Sequence, residues 1–330
     1  MKLLLVWRSP QAENPDACHA GLGITAKNIE IGLRQVGLPV ESAPVVDGFY
    51  LRDGLKEGVW GRTTHVVMLA PFFDNEFLRT LCEEFPQINF FTTYHSNIPF
   101  LSQDRWALRM LMSQLKLEKT LRNFHVAGNC EKFTQATGVV PLLNIYPQRE
   151  IPAKRPLRDP LLIGAYGASR VLKNLPTAAW AASLIQEELG RPVIFEINAG
   201  REEGEGSKHL KGICEEICRG LCVNFNILPW QEWEEFRSHL QYVDLILQPS
   251  FTESFNNVVA DGISQGVPSV VGPAIHWVPG WWHANPDSAR EIALVGLRLL
   301  ADEDSGTEGY LALEKYNRAA IETWRNLLTL

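Results

Sequence analysis

Apolar residues along this chain follow two alternating rhythms. The run KLLLVW (Lys2 to Trp7) is apolar at consecutive positions, as in a parallel strand covered on both faces. The next segment, GLGITAKNIEIGLRQVG (Gly21 to Gly37), instead repeats Ile24, Ile29, Leu33 and Val36 at helical spacing and stops at Gly37. Together they predict a βα unit. Strand-like runs recur at HVVMLA (from His65) and INFFTTY (from Ile88), and helical patterns at FLRTLCEEF (from Phe77) and RWALRMLMSQLKLEKTL (from Arg105). Between Pro141 and Pro160 the prolines become dense among charges, which predicts a linker.

Beyond that stretch the alternation restarts. Strands are predicted at LLIGAYG (from Leu161), PVIFEIN (from Pro192), VNFNIL (from Val223), VDLILQ (from Val243) and PSVVG (from Pro268). Helices are predicted at LPTAAWAASLIQEELG (from Leu175), at LKGICEEICRGL (from Leu210) and over the final segment from Tyr310 to Leu330. Strands alternating with helices twice over predict an α/β protein of two Rossmann-like domains. The expected boundaries are residues 1–150, 151–309 and a C-terminal helix, 310–330, that packs back on the N-terminal domain.

Composition adds limits. A chain of 330 residues, 45% of them hydrophobic, is long enough for two cores. A net charge of -7 with pI near 5.7 supplies no whole-molecule field for nucleic acid or anionic lipid. Six scattered cysteines suit a reducing compartment better than a disulfide framework. Cys214, Cys218 and Cys222 share a helical stripe but lack zinc-site spacing and read as packing. The apolar run before Arg8 is too short for a signal peptide, and no stretch approaches a spanning length, so a cytoplasmic location is expected.

The chemistry concentrates in PSFTESFNNVVADGISQGVPSVVG, Pro249 to Gly272. A helix following the strand at Val243 starts at the carboxyl edge of a parallel sheet, where open α/β sheets bind ligands. The amides of Phe255, Asn256, Asn257 and Val258, at the positive end of the helix dipole, suit a phosphate or diphosphate. Glu253 precedes that helix and Asp261 lies two turns in; both carboxylates suit hydroxyls, such as those of a sugar and a ribose.

This stretch resembles the Glu-x7-Glu element of the retaining GT-B glycosyltransferases called group 1 or family four, which reads P-S-x-x-E-S-F-G-N-V-V-x-E-A followed by G-x-P-V-V. The resemblance implies a GT-B fold and transfer of a sugar, with retention, from a nucleotide-sugar donor on the C-terminal domain to an acceptor on the N-terminal one. Glu253 would contact the donor sugar, Ser254, Phe255, Asn256, Asn257 and Val258 the sugar and diphosphate, and Asp261, where the family has Glu, the ribose.

Further matches extend the resemblance. IGAYGASRVLKN (from Ile163) is similar to the family's strand and loop V-G-R-x-x-x-x-K-N. Lys173 falls on its lysine; Ala168 replaces its arginine, with Arg170 as the substitute cation for the departing diphosphate. Gly23 in HAGLGITAKN matches the glycine-rich first turn, and His95 in TYHSN the strand-end histidine that faces the reacting sugar. The resemblance implies no cofactor, the nucleotide sugar being a co-substrate, and no metal, since cations and helix amides replace it; the DED of Asp302 to Asp304 is not placed as a metal motif.

Arg105, Arg109, Lys116 and Lys119 fall within about 80° on a helix, a stripe suited to a membrane surface, a phosphorylated acceptor, a nucleic-acid backbone or plain solvent. Trp230, Trp233, Trp277, Trp281 and Trp282 are candidates for stacking on a base or sugar as well as for packing. Two other readings stand beside the transferase: a catalytically degenerate GT-B protein that binds a sugar nucleotide or a partner, and a dinucleotide-dependent oxidoreductase. The third glycine that the latter needs is missing after Gly21 and Gly23. The acceptor is open among glycan, lipid-linked sugar, small molecule, protein and modified nucleic acid.

Overall fold

A computed structural model describes residues 2–8, 20–101, 104–147, 150, 156–198, 200–204 and 206–328. The chain divides into two compact units, one of Met1–Pro147 with Asn317–Leu330, the other of Gln148–Tyr316.

The first unit runs β1 (Leu3–Arg8), α1 (Ala20–Gln35), β2 (Val40–Val45), α2 (Gly48–Lys56), β3 (His65–Met68), α3 (Asn75–Glu84), β4 (Asn89–Tyr94), α4 (Ile98–Leu101), α5 (Arg105–Glu118), β5 (Phe124–Gly128), α6 (Glu131–Thr137) and β6 (Val140–Pro141). Its sheet is parallel, in the order β2-β1-β3-β4-β5-β6. Leu3 to Val6 are fully buried, as a strand flanked by neighbours and covered on both faces requires. β2 carries no apolar run because it is an edge strand pairing only with β1; Pro44 is tolerated there since the edge needs no second donor. Asp47, Asp74 and Asp104 cap α2, α3 and α5 by accepting from Tyr50, Phe77 and Ala107 amides.

The proline-rich stretch is only in part a linker. Val140–Pro141 pairs with β5, and Leu142, Leu143, Ile145 and Tyr146 are buried. The apolar residues between the prolines decide this segment, and proline density hides them; Gln148, Arg149 and 151–155 lie outside the described residues.

The second unit runs β7 (Leu161–Ala165), a 3-10 turn (Val171–Lys173), α7 (Leu175–Leu189), β8 (Val193–Asn198), α8 (Leu210–Gly220), β9 (Asn224–Leu228), α9 (Trp233–Leu240), β10 (Leu245–Gln248), α10 (Asn257–Ser264), β11 (Ser269–Val271), α11 (Ala289–Ala301) and α12 (Ser305–Leu327). Its parallel sheet has the order β11-β10-β7-β8-β9. From β7 the chain winds outward to β9, then returns to β10 on the other side of β7. The switch point therefore lies between β7 and β10, and the loops after those two strands face the same crevice. Cys214 and Cys218 are packed in this unit, and burial pushes the Cys214 thiol up to about 12.

α12 belongs to both units, its residues from Asn317 onward to the first. There it clamps the segment after β6. Asn317 Oδ1 accepts from Tyr146 N at 2.9 Å and its Nδ2 donates to Tyr146 O at 2.7 Å, while Trp324 Nε1 donates to Leu143 O at 2.8 Å. Trp324 is fully buried. Trp324→Ala is expected to cost about 3–5 kcal/mol by opening a large cavity, and Trp324→Phe about 1–2 kcal/mol because Leu143 O loses its donor. Equilibrium unfolding in urea checks both values and their order.

On β8 the buried Glu196 accepts from Tyr166 OH at 2.7 Å, His239 Nε2 at 2.5 Å and Asn226 Nδ2 at 2.5 Å. Burial would raise its carboxyl, but the bonds from His239 and Tyr166, the His239 charge and Asn226 together hold it below the ordinary carboxylate range. A carboxyl lowered by folding contributes stability above its unfolded pKa and loses it as pH falls through the folded value. The stability gap between the wild type and Glu196→Gln should therefore narrow as pH is lowered from about 7 to about 3. A gap independent of pH would refute the ionised network.

Candidate functional site

The two loops at the switch point are stitched together before any charged group is considered. Phe251 N donates to Leu172 O at 3.0 Å, and Asn174 Nδ2 donates to Pro286 O at 2.7 Å and Pro249 O at 3.4 Å. Asn174 holds a left-handed backbone (φ 60°), tolerable for asparagine, between the 3-10 turn and α7. Gln248, the last residue of β10, is buried and ties three pieces at once. Its Nε2 donates to Tyr166 O at 2.9 Å, and its Oε1 accepts from Lys173 Nζ at 3.2 Å and Asn256 Nδ2 at 3.1 Å.

Lys173 and Glu253, assigned by sequence to different parts of a ligand, meet directly. Lys173 Nζ lies 2.7 Å from Glu253 Oε1, with side-chain exposures of 9% and 10%. Gly167 lies beside Lys173. Its φ of 104° disfavours any side chain, and a Cβ there would touch Lys173 and Val258.

α10 starts at Asn257, with Asn256 as its cap in the left-handed region (φ 70°) and its Oδ1 accepting from Val259 N at 3.1 Å. The amides of Asn257 and Val258 make no hydrogen bond among the described residues. Phe255 does not face the crevice. It is buried, stacks on Trp277 at 5.1 Å, and its carbonyl accepts from Trp277 Nε1 at 2.7 Å, so it anchors the loop through which Ser254 runs.

Asp261 is buried at 3% exposure, and its Oδ1 accepts from Trp233 Nε1 at 2.9 Å. Trp233, read in sequence as a stacking candidate, thus grips the second acid from α9. Of the other tryptophans, Trp277 and Trp282 are buried, whereas Trp230 is exposed with the Arg201 guanidinium 5.8 Å over its ring.

Arg170 pairs with Glu203 at 2.5 Å, and Arg201 reaches the other oxygen of Glu203 at 2.7 Å. Backbone bonds from Ser169 N to Arg201 O and from Glu203 N to Ser169 O hold the loop after β8 against the loop after β7. Arg201 is not singled out in the sequence; it stands three residues past the end of β8, and that place after a strand was the available signal.

Among the residues expected in the first unit, Gly23 lies in the first turn of α1, so it is not a glycine-rich strand-to-helix turn. The helix already begins at Ala20, and absence of a side chain at Gly23 admits the Trp7 indole, 3.1 Å from where a Cβ would sit. His95 follows β4, and its Nδ1 lies 2.6 Å from Asn129 Nδ2. Arg105 and Arg109 stand on the outer face of α5 beside exposed Trp106, Leu108 and Met112, while Ala107, Leu111, Gln114 and Leu117 are buried. Among the described residues no helix is long and apolar enough to cross a membrane, and no group of three His, Cys, Asp or Glu is arranged to hold a metal. A cavity of about 350 Å³ lined by Arg158, Asp244 and Asp302 lies at the opposite, amino-terminal edge of the second sheet, away from the switch point.

No protein-family model and no curated protein sequence matches the chain. Solved structures do. The chain is similar to HepE from Anabaena, crystallised in complex with UDP, at 15% identity over 100% of both chains with a TM-score of 0.62. It is similar to sucrose-phosphate synthase from Thermosynechococcus elongatus at 14% identity over 100% of both chains, with a TM-score of 0.65. TarM of S. aureus is similar at 15% identity over 80% of this chain, with a TM-score of 0.57; this chain spans 55% of that one. The fold is the two-sheet α/β architecture of the GT-B glycosyltransferases.

Removing Glu253 alone leaves the largely buried Lys173 charge without its carboxylate. Glu253→Leu should therefore cost about 3 kcal/mol, whereas adding Lys173→Met to it should recover most of that loss. Urea unfolding of the two singles and the double closes the cycle, and additive losses would show that the pair does not interact.

Proposed function

We propose that the protein is a glycosyltransferase that moves a sugar from a nucleotide-sugar donor, with retention and without a metal ion. The observation that carries this reading is the Lys173–Glu253 pair at the switch point, tied through Gln248 to Asn256, the cap at the start of α10. An anion receptor and a hydroxyl-binding carboxylate stand side by side there, as a sugar diphosphate requires. The structures of HepE with UDP and with UDP-glucose support such a donor.

In this reading the diphosphate takes Lys173 and the α10 amides, freeing the Glu253 carboxylate to accept from sugar hydroxyls. Asp261, held by Trp233, accepts from the ribose. The bond from the anomeric carbon to the diphosphate breaks, the acceptor oxygen bonds to that carbon on the same face, and the acceptor proton passes to a diphosphate oxygen. Charge builds on the leaving group, and Lys173 and the helix amides stabilise it, with Arg170 and Arg201 as further cations beside the crevice. The first unit is proposed to carry the acceptor, and the protein to act in the cytoplasm.

A panel of UDP-, GDP- and ADP-sugars should contain at least one that raises the melting temperature and is hydrolysed or transferred. Lys173→Met should lower its kcat by roughly 10²–10³-fold. Binding without turnover would replace the enzyme with the sugar-nucleotide-binding reading.

A further inference from the structure

Among the side chains at the switch point, one buried amide has an orientation that its neighbours leave no freedom to reverse. Gln248 is 1% exposed and meets three polar groups: Tyr166 O at 2.9 Å, Lys173 Nζ at 3.2 Å and Asn256 Nδ2 at 3.1 Å. A carbonyl only accepts and an ammonium only donates, so Nε2 must face Tyr166 and Oε1 must face Lys173. Asn256 agrees independently. Its own Oδ1 accepts from Val259 N at 3.1 Å, which leaves Nδ2 as the donor to Gln248. Turning the Gln248 amide over would set oxygen against oxygen at Tyr166 and N–H against N–H at Lys173, in a buried place where neither could find another partner.

Lys173 is the partner with capacity to spare. Its ammonium carries three N–H groups. One goes to Glu253 Oε1 at 2.7 Å and one to Gln248 Oε1, and among the described residues the third meets no acceptor, although Lys173 is only 8% exposed. The base of this side chain is set by the 3-10 turn, where Lys173 N donates to Arg170 O at 3.0 Å, but a flexible four-carbon stem separates that base from the charge. Gln248 supplies a fixed point at the far end. Tyr166, whose carbonyl holds Gln248, is itself fully buried and donates to Glu196 on β8.

We propose that Gln248 is a positioning residue: with Glu253 it takes up two of the three N–H groups of Lys173 and so directs the third at an anionic oxygen bound in the crevice. A neutral acceptor suits this task because it holds the ammonium without cancelling its charge, whereas Glu253 does both. The role in catalysis rests on the glycosyltransferase reading above, in which the anion is the departing diphosphate; the alignment of the ammonium does not. Gln248 itself touches no ligand and acts through Lys173.

The probe is inorganic pyrophosphate, titrated into the full chain and followed by 31P NMR, which reads affinities into the millimolar range. Lys173→Met should weaken binding roughly tenfold or more. Gln248→Met should weaken it roughly fivefold to tenfold when Lys173 is present, yet by no more than about twofold when Lys173 is already methionine. An equal loss in both backgrounds would mean that Gln248 only supports the loops, and it overturns the proposal. So does pyrophosphate binding that is absent or indifferent to Lys173. Near-UV circular dichroism checks that each variant is folded; if Gln248→Met is not, Gln248→Asn, which draws the same amide back by one methylene, takes its place in the cycle.

With whichever panel sugar is turned over, Gln248→Met should lower kcat/KM roughly tenfold or more and add at most about twofold to the loss in Lys173→Met. Coupled pyrophosphate binding without turnover of any panel member overturns the transferase reading and leaves the positioning role standing. Turnover with uncoupled losses does the reverse.

Discussion

Parallel strands end with carbonyls and loop amides that no further strand can satisfy, and at a switch point two such ends must come close without a ladder between their loops. In the second unit the buried side chain of Gln248 meets this constraint. One amide donates to the β7 loop at Tyr166 O and accepts from the 3-10 turn at Lys173 and from the α10 cap at Asn256. Tyr166 lies where it does because Gly164 has no side chain; a Cβ there would fall 2.0 Å from the Tyr166 ring. Tyr166 in turn donates to Glu196 on β8. The crevice is thus a consequence of backbone satisfaction across three strands.

That frame explains how two charges tolerate near-complete burial. A lysine and a carboxylate removed from water gain from each other only when their remaining hydrogen-bonding capacity is also met. Lys173 has Gln248 as well as Glu253, and Glu253 stands in a loop pinned through Phe251, on one side, and Phe255, on the other. Arg170 and Arg201 follow a different pattern, sharing the two oxygens of Glu203 at a more open place. Positive charge is therefore present in two tiers, one locked in the crevice and one in reach of water.

Much of this was legible in the sequence. The βα alternation marked both units, and the acid and helix from Glu253 onward marked the loop after β10 and the start of α10, because those features depend on local spacing; the burial of Asp261 against Trp233 was not legible. The edge strand β2 was not legible, since an edge carries half a hydrophobic pattern, and neither was the buried segment after β6, whose cover comes from α12 more than 160 residues later. Gln248, Asn198 and Asn129 escaped for a related reason. An amide has no signature by itself; its importance comes from partners such as Gly167 N, bound by Asn198 Oδ1 at 2.8 Å, which only the fold brings near. Trp233 was noticed as an aromatic ring, yet its N–H on Asp261 is what the fold uses.

The division of labour between amides and charges follows from their chemistry. Gln248, Asn174, Asn256 and Asn129 each donate and accept, or donate twice, without the desolvation cost of a net charge. Such groups suit bonds that must hold the backbone in one geometry. Ionised groups gain more from a change of partner, because a lysine that leaves a carboxylate for a phosphate keeps a charge-assisted bond throughout. Neutral amides set the loops here, and charges occupy the space the loops enclose.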